Sequence, residues 1–137
     1  MAYLFDTNVV SELRRQDRAH KAVWAWSVTV PREEVYISAI TLMELEVGIR
    51  KIERQGANSG TALRGWMQSQ VLPTYAERTL PVTGEVALRA AEIDKIPLTE
   101  WADRLIAATA LINRLTIVTR NEKHFADSGV PLFNPFR

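Results

Sequence analysis

Three carboxylates far apart in the sequence could share one piece of chemistry: Asp6, Glu44 and Asp103. Asp6 stands where a short apolar run, Tyr3-Leu4-Phe5, gives way to the polar Asp6-Thr7-Asn8. Glu44 shares a helical face with Thr41 and Gly48, and Asp103 shares one with Ala107 and Ala110. Small neighbours one turn away leave room for another element to come close. If the three converge, bare carboxylates about 4 Å apart repel by about 4 kcal/mol per pair at an effective dielectric near 20. A divalent cation removes that cost. Oxygen ligands without sulfur or paired histidines favour a hard ion, Mg2+ with Mn2+ as substitute. Phosphodiester hydrolysis is the chemistry such a centre serves. Each acid also has a structural reading. Asp6, Thr7 or Asn8 could cap a first helix, Thr41-Leu42-Met43-Glu44 fits a capping box, and Asp103 in a first helical turn complements the macrodipole. The residues by themselves leave both sets of readings open.

The elements that must position these acids follow from periodicity and punctuation. Tyr3-Leu4-Phe5 reads as a buried strand, with a helix from about Asn8 or Val9. Ala22 to Val28, with Trp24 and Trp26, reads as a second helix ending before Pro31, and Val35-Tyr36-Ile37 as another strand. From Ser38 to Arg54, Leu42, Leu45, Ile49 and Ile52 recur at helical spacing, and Gln55-Gly56-Ala57-Asn58 closes the helix. Thr61 to Val71 and Gly84 to Lys95 read as two further helices, joined through Pro73 and the extended Thr79-Leu80-Pro81-Val82. Pro97-Leu98-Thr99 opens a helix to about Arg114, with Thr99 as its cap. Thr116 to Thr119 is a continuous β-branched run, as suits a buried parallel strand, and Val130-Pro131-Leu132-Phe133 suits an edge. Strands separated by long helical stretches require crossover connections. The expectation is an α/β fold: three α/β/α layers with a small, mainly parallel sheet covered by helices on both faces. Ligands of such sheets bind beyond the carboxyl ends of the strands, which is where Asp6 and Asn121 must lie.

Composition narrows the classes. A chain of 137 residues with 47% hydrophobic content can bury one core, so residues 1–137 are read as a single domain. Seventeen basic against sixteen acidic residues leave a net charge of +1, so any nucleic-acid surface must be local. The absence of cysteine excludes disulfides, thiolate metal sites and a cysteine nucleophile, and suits the cytoplasm. No run approaches the roughly 20 apolar residues of a membrane helix, and no membrane partner is expected. His20 and His124 stand isolated and read as surface or packing residues. The four tryptophans read as core or interface, and Arg14-Arg15-Arg18-Lys21 and Arg50-Lys51-Arg54 as solvated helix faces that could also track a phosphate backbone.

Two other enzyme or signalling classes fit poorly. A haloacid-dehalogenase-type phosphatase uses Asp-x-Asp after its first strand, and Asn8 stands at the second position. A receiver domain needs an aspartate after a central strand, and Val35-Tyr36-Ile37 leads to Ser38.

The chain resembles the VapC-type PIN-domain ribonuclease toxins of type II toxin–antitoxin pairs over essentially its whole length. Four segments carry the resemblance: Leu4-Phe5-Asp6-Thr7-Asn8-Val9-Val10-Ser11, Ile37-Ser38 through Glu44-Leu45-Glu46-Val47-Gly48, Asp103-Arg104-Leu105-Ile106-Ala107-Ala108-Thr109-Ala110, and Val118-Thr119-Arg120-Asn121, with Asn134-Pro135 at the close. The resemblance implies a PIN-like fold with Asp6 and Asp103 as principal metal ligands, Glu44 contributing directly or through water, and Mg2+-dependent endonucleolytic cleavage of RNA. It also implies a homodimer, neutralised by a cognate antitoxin within a larger assembly. Many relatives carry a fourth acid where Asn121 stands or three residues later, where this chain has His124. Asn121 could instead accept a hydrogen bond from water or orient substrate, with Glu122 as a nearby substitute carboxylate. The alternative is a catalytically weak PIN-like module that holds RNA or protein.

Overall fold

The computed structural model describes residues 1–56 and 58–137. Five strands, β1 (Tyr3–Phe5), β2 (Val35–Ser38), β3 (Thr79–Leu80), β4 (Thr116–Val118) and β5 (Leu132–Phe133), form one sheet in the order β3-β2-β1-β4-β5. Every pairing is parallel: Tyr3 lies opposite Val35 on one side and Thr116 on the other, Ile37 pairs with Thr79, and Ile117 with Leu132.

Alternation along these strands builds two cores, because successive side chains leave a strand on opposite faces. Leu4 and Ile117 point to one face, where they meet Val86, Ala90, Ile106 and Ala110. Phe5 and Val118 point to the other, where they meet Val9, Val10, Leu45 and Ile49. Leu4, Ile117 and Val118 are fully buried, each contributing about 1.5–3 kcal/mol through the area it removes from water. Both faces of the sheet are therefore covered, as the continuous apolar strands require.

The helices are α1 (Thr7–Leu13), α2 (Lys21–Ser27), α3 (Ala39–Arg54), α4 (Ser59–Trp66), α5 (Leu72–Thr74), α6 (Gly84–Ala91), α7 (Trp101–Asn113) and α8 (Glu122–Phe125). Several differ from the sequence expectation for local reasons. Helix α1 starts at Thr7 because Asp6, in an extended conformation, accepts from the Thr7 N–H at 2.8 Å. The Ser38 hydroxyl caps α3 by accepting from Ile40 N–H, so Thr41 lies inside the helix and the capping-box reading of Thr41 and Glu44 is corrected. The turn expected over Gln55–Asn58 is there, with Gly56 at φ 72°, while its Ala57 lies outside the described residues.

The helix expected over 61–71 begins at Ser59 and changes from α to π winding over Met67–Val71 before α5. Pro73, which has no N–H to give, stands just beyond that turn. Helix α6 is capped by Thr83 and ends at Ala91, short of Lys95. Thr99 does not cap α7; Leu98–Glu100 form a 3-10 turn, and Glu100 occupies the cap position without a capping side-chain bond. Helix α7 ends with Arg114 in the left-handed region at φ 56°.

Candidate active site

Asp6 stands at the end of β1, and Thr119 at the end of the adjacent β4, so the two meet at the carboxyl edge of the sheet. Three donors hold the Asp6 carboxylate: Thr7 N–H on Oδ1 at 2.8 Å, and on Oδ2 the Thr119 hydroxyl at 2.8 Å and the Asn8 amide at 3.1 Å. A carboxylate offers about four lone-pair sites, so one remains open. The capping reading of Asp6 holds, since Oδ1 accepts from the Thr7 N–H, and the open lone pair lies on that same oxygen because Oδ2 already takes two donors. Asp6 is only 5% exposed, and burial pushes its carboxyl from 3.8 up to about 6, against the lowering effect of the Thr119 and Thr7 bonds; Asp103 and Glu44 add to the rise.

Glu44 comes from the second turn of α3. Its Oε1 accepts from the Thr7 hydroxyl at 2.5 Å, and Thr41 Oγ1 lies 3.1 Å from the same hydroxyl. Thr41 is fully buried, so the small residue one turn before Glu44 is what lets α1 approach. Gly48, one turn after, faces open space instead. Burial raises the Glu44 carboxyl, the Thr7 bond lowers it, and Asp103 raises it further.

Asp103 lies in the first turn of α7, braced where Arg104 Nε donates to the Ile96 carbonyl at 2.6 Å. Its Oδ2 meets His124 Nδ1 at 3.1 Å. Burial raises the Asp103 carboxyl, the His124 bond lowers it, and Glu100 raises it. His124 is therefore not isolated, which corrects the sequence reading. Among the described residues, the group of three potential ligands whose atoms all lie within 4.8 Å of one another is Glu100, Asp103 and His124. Asp6, Glu44 and Asp103 do not form such a group among the described residues, although Asp103 and Glu44 both add to the rise of the Asp6 carboxyl.

Asn121 occupies the loop after β4. Its backbone N–H donates to Thr119 Oγ1 at 2.9 Å, and it lines a shallow cavity with Arg120, Glu122, Lys123 and His124. Arg137 and the Asn134 amide both engage Glu122 through its Oε2. Sequence reasoning missed the role of Thr119 and of the Thr7 hydroxyl, and missed Glu100. The polar Asp6-Thr7-Asn8 string directly after a strand was the available signal for Thr7. The donor set suits a hard divalent ion: three oxygen acids, all with carboxyls raised by burial, one of them with an open lone pair.

A five-stranded parallel sheet flanked by helices on both faces, with Asp6 at its carboxyl edge, defines a three-layer α/β/α class. The PIN domain model matches residues 3–129, and the chain belongs to the PIN-domain family. It is similar to Toxin FitB of Neisseria gonorrhoeae, 36% identical with 97% of each chain covered. It is also similar to VapC ribonuclease Y4jK of Sinorhizobium fredii, 31% identical over 97% of this chain and 96% of the relative. The FitAcB crystal structure from Neisseria gonorrhoeae superposes with a TM-score of 0.86 at 34% identity, covering 98% of this chain and 99% of that one.

Proposed function

We propose that the chain is the toxin of a toxin–antitoxin pair, an endoribonuclease acting as one domain over residues 1–137 in the cytoplasm, with RNA as substrate. The observation that carries this reading is the buried Asp6 carboxylate, held open-handed by three donors beside Glu44 and Asp103. A carboxylate raised by burial and coupled to two others has no structural need to be there, since an amide could cap α1 equally well. Similarity to a named toxin and a named VapC ribonuclease supports the same conclusion.

Asp6, Asp103 and Glu44 would hold Mg2+, or Mn2+ in its place, which supplies charge neutralisation at the phosphate and activation of water. Thr119, Asn8 and the Thr7 N–H fix the Asp6 carboxylate in one orientation before substrate arrives. Thr7 orients Glu44 through its hydroxyl, and His124 Nδ1 orients Asp103 Oδ2. Asn121, which shares a cavity with His124, would position a phosphate or ribose oxygen through its amide. A homodimer and a neutralising antitoxin complete the reading, as a toxin that cleaves RNA in its own cell requires a partner that blocks it.

Cleavage of a mixed RNA pool by purified protein, with Mg2+ or Mn2+ and against EDTA and Asp103→Asn, tests this reading. Metal-dependent cleavage that the mutant lacks is expected. Cation binding without cleavage of any RNA would favour the non-catalytic module.

A further inference from the structure

Arg14 and Trp66 line three adjoining cavities between α1 and the α4 region. One, of about 230 Å³, begins at the active-site residues Thr7 and Glu44 and runs beside Gly48 and Ile49. Another, of about 430 Å³, is polar and is lined by Arg14, Arg15, Arg18, Trp66 and Gln70, with Asp17 as its one carboxylate. Because the cavities share Arg14 and Trp66 in their linings, a path along α1 leads from Glu44 to a basic pocket. From Thr7 to Arg14 that path is about 10 Å long, at roughly 1.5 Å of rise per helical residue. Stacked nucleotides span it in about three steps at roughly 3.4 Å each.

The pocket's arginines differ from those elsewhere. On the α3–α4 seam, Arg64 is bound by Glu46 and Glu53, and Arg50 by Glu46, so their charge is spent. Arg15 is shared with the buried Glu12. Among the described residues, Arg14 and Arg18 pair with no carboxylate, although both are exposed and Asp17 lies next to Arg18. The loop between them holds Gln16 at φ 51°, a backbone that L side chains rarely adopt. The π-turn that follows Trp66 buries Met67 and Val71 and leaves Gln70 on the groove side, and such turns gather at functional sites.

We propose that this groove is a subsite for a single RNA strand leaving the acidic centre, with backbone phosphate held by Arg14 and Arg18 and a base against Trp66. The proposal rests on the ribonuclease reading above, and adds to it the course of the strand across the surface. Unspent guanidinium groups beside an indole are the combination that single strands use: charge tracks the backbone and the aromatic face takes any base.

Binding separates this proposal from catalysis. In the Asp103→Asn background, anisotropy of a labelled dodecanucleotide RNA is measured across a salt series. Arg14→Ala with Arg18→Ala is expected to weaken affinity at least about tenfold and to reduce the salt slope by about 1.4, the value for two single-strand phosphate contacts. Trp66→Leu is expected to weaken affinity about five- to hundredfold with an unchanged slope. Arg14→Lys with Arg18→Lys, which keeps the charge, is expected to keep the slope, and circular dichroism reports folding of each variant. Unchanged affinity and slope in the folded double alanine variant would overturn the proposal, as would tighter binding of a polyglutamate peptide than of RNA, which would assign the pocket to an acidic protein segment. Wild-type cleavage with unaltered binding would remove the subsite alone; RNA bound here but never cleaved would remove the ribonuclease reading alone.

Discussion

Asp6 and Asp103, the two principal ligands of the proposed site, are held in opposite ways. Asp6 is 5% exposed and fixed by three hydrogen bonds, two from α1 and one from the end of β4. Asp103 has 20% of its side chain exposed and meets only a half-exposed histidine from α8. One acid is preorganised by the sheet edge, where strand ends cannot move without breaking the ladder. The other rides on a helix and can adjust. In the proposed site, this difference would set the orientation of the centre at Asp6 and leave its fit to cation and substrate to Asp103.

Replacing either acid should cause the largest effect. Asp6→Asn and Asp103→Asn are each expected to lower RNA cleavage on the order of a thousandfold or more, since each removes several kcal/mol of charge stabilisation. The two should diverge in stability, read by urea denaturation in EDTA: Asp6→Asn relieves a buried charge and keeps a capping oxygen, whereas Asp103→Asn should change little. Equal destabilisation of both would break the comparison.

The same difference appears as a pH dependence of the protein without metal. Folding raises the Asp6 carboxyl from 3.8 to about 6, so the folded state binds the proton more tightly than the unfolded state does. The stabilising contribution is fully present below pH 4 and lost as pH rises through 6, about 3 kcal/mol at most. Glu44 and Asp103 shift in the same direction. Urea midpoints from pH 4 to 8 should therefore fall in wild type, and fall distinctly less in Asp6→Asn. A flat wild-type profile would contradict the burial of an ionisable Asp6.

Next in size, Thr119→Val removes the hydroxyl that donates to Asp6 and accepts from Asn121 N–H. Cation affinity, measured by calorimetry, should fall about 10- to 100-fold, as for other residues that orient a ligand. The smallest effect is expected from His124→Ala, below about tenfold in cation affinity, because that side chain is 45% exposed and touches Asp103 through one bond. A loss as large as that of Asp103→Asn would move His124 into the ligand set.

Strands and buried helix faces were legible in the sequence because their apolar periods are long or continuous, as in Thr116-Ile117-Val118 and in α3. Asp6, Glu44 and Asp103 could be singled out because small or polar neighbours flank them. What escaped reading depends on contacts between distant residues. Thr7 and Glu44, 37 positions apart, and Asp103 and His124, 21 apart, carry no local sign of their pairing. The π-turn was hidden for a similar reason, since Met67 and Val71 fit either winding and only packing on β1 and α3 selects one. Thr99 looked like a cap, but the 3-10 turn at Leu98–Glu100 delays the helix until Trp101.

The central claim, that Asp6, Glu44 and Asp103 jointly hold one divalent cation, is tested most directly by the anomalous diffraction of crystals soaked in Mn2+. A peak bounded by those three carboxylates is the expected result. A peak held instead by Glu100, Asp103 and His124, or none at a concentration that supports cleavage, would contradict it.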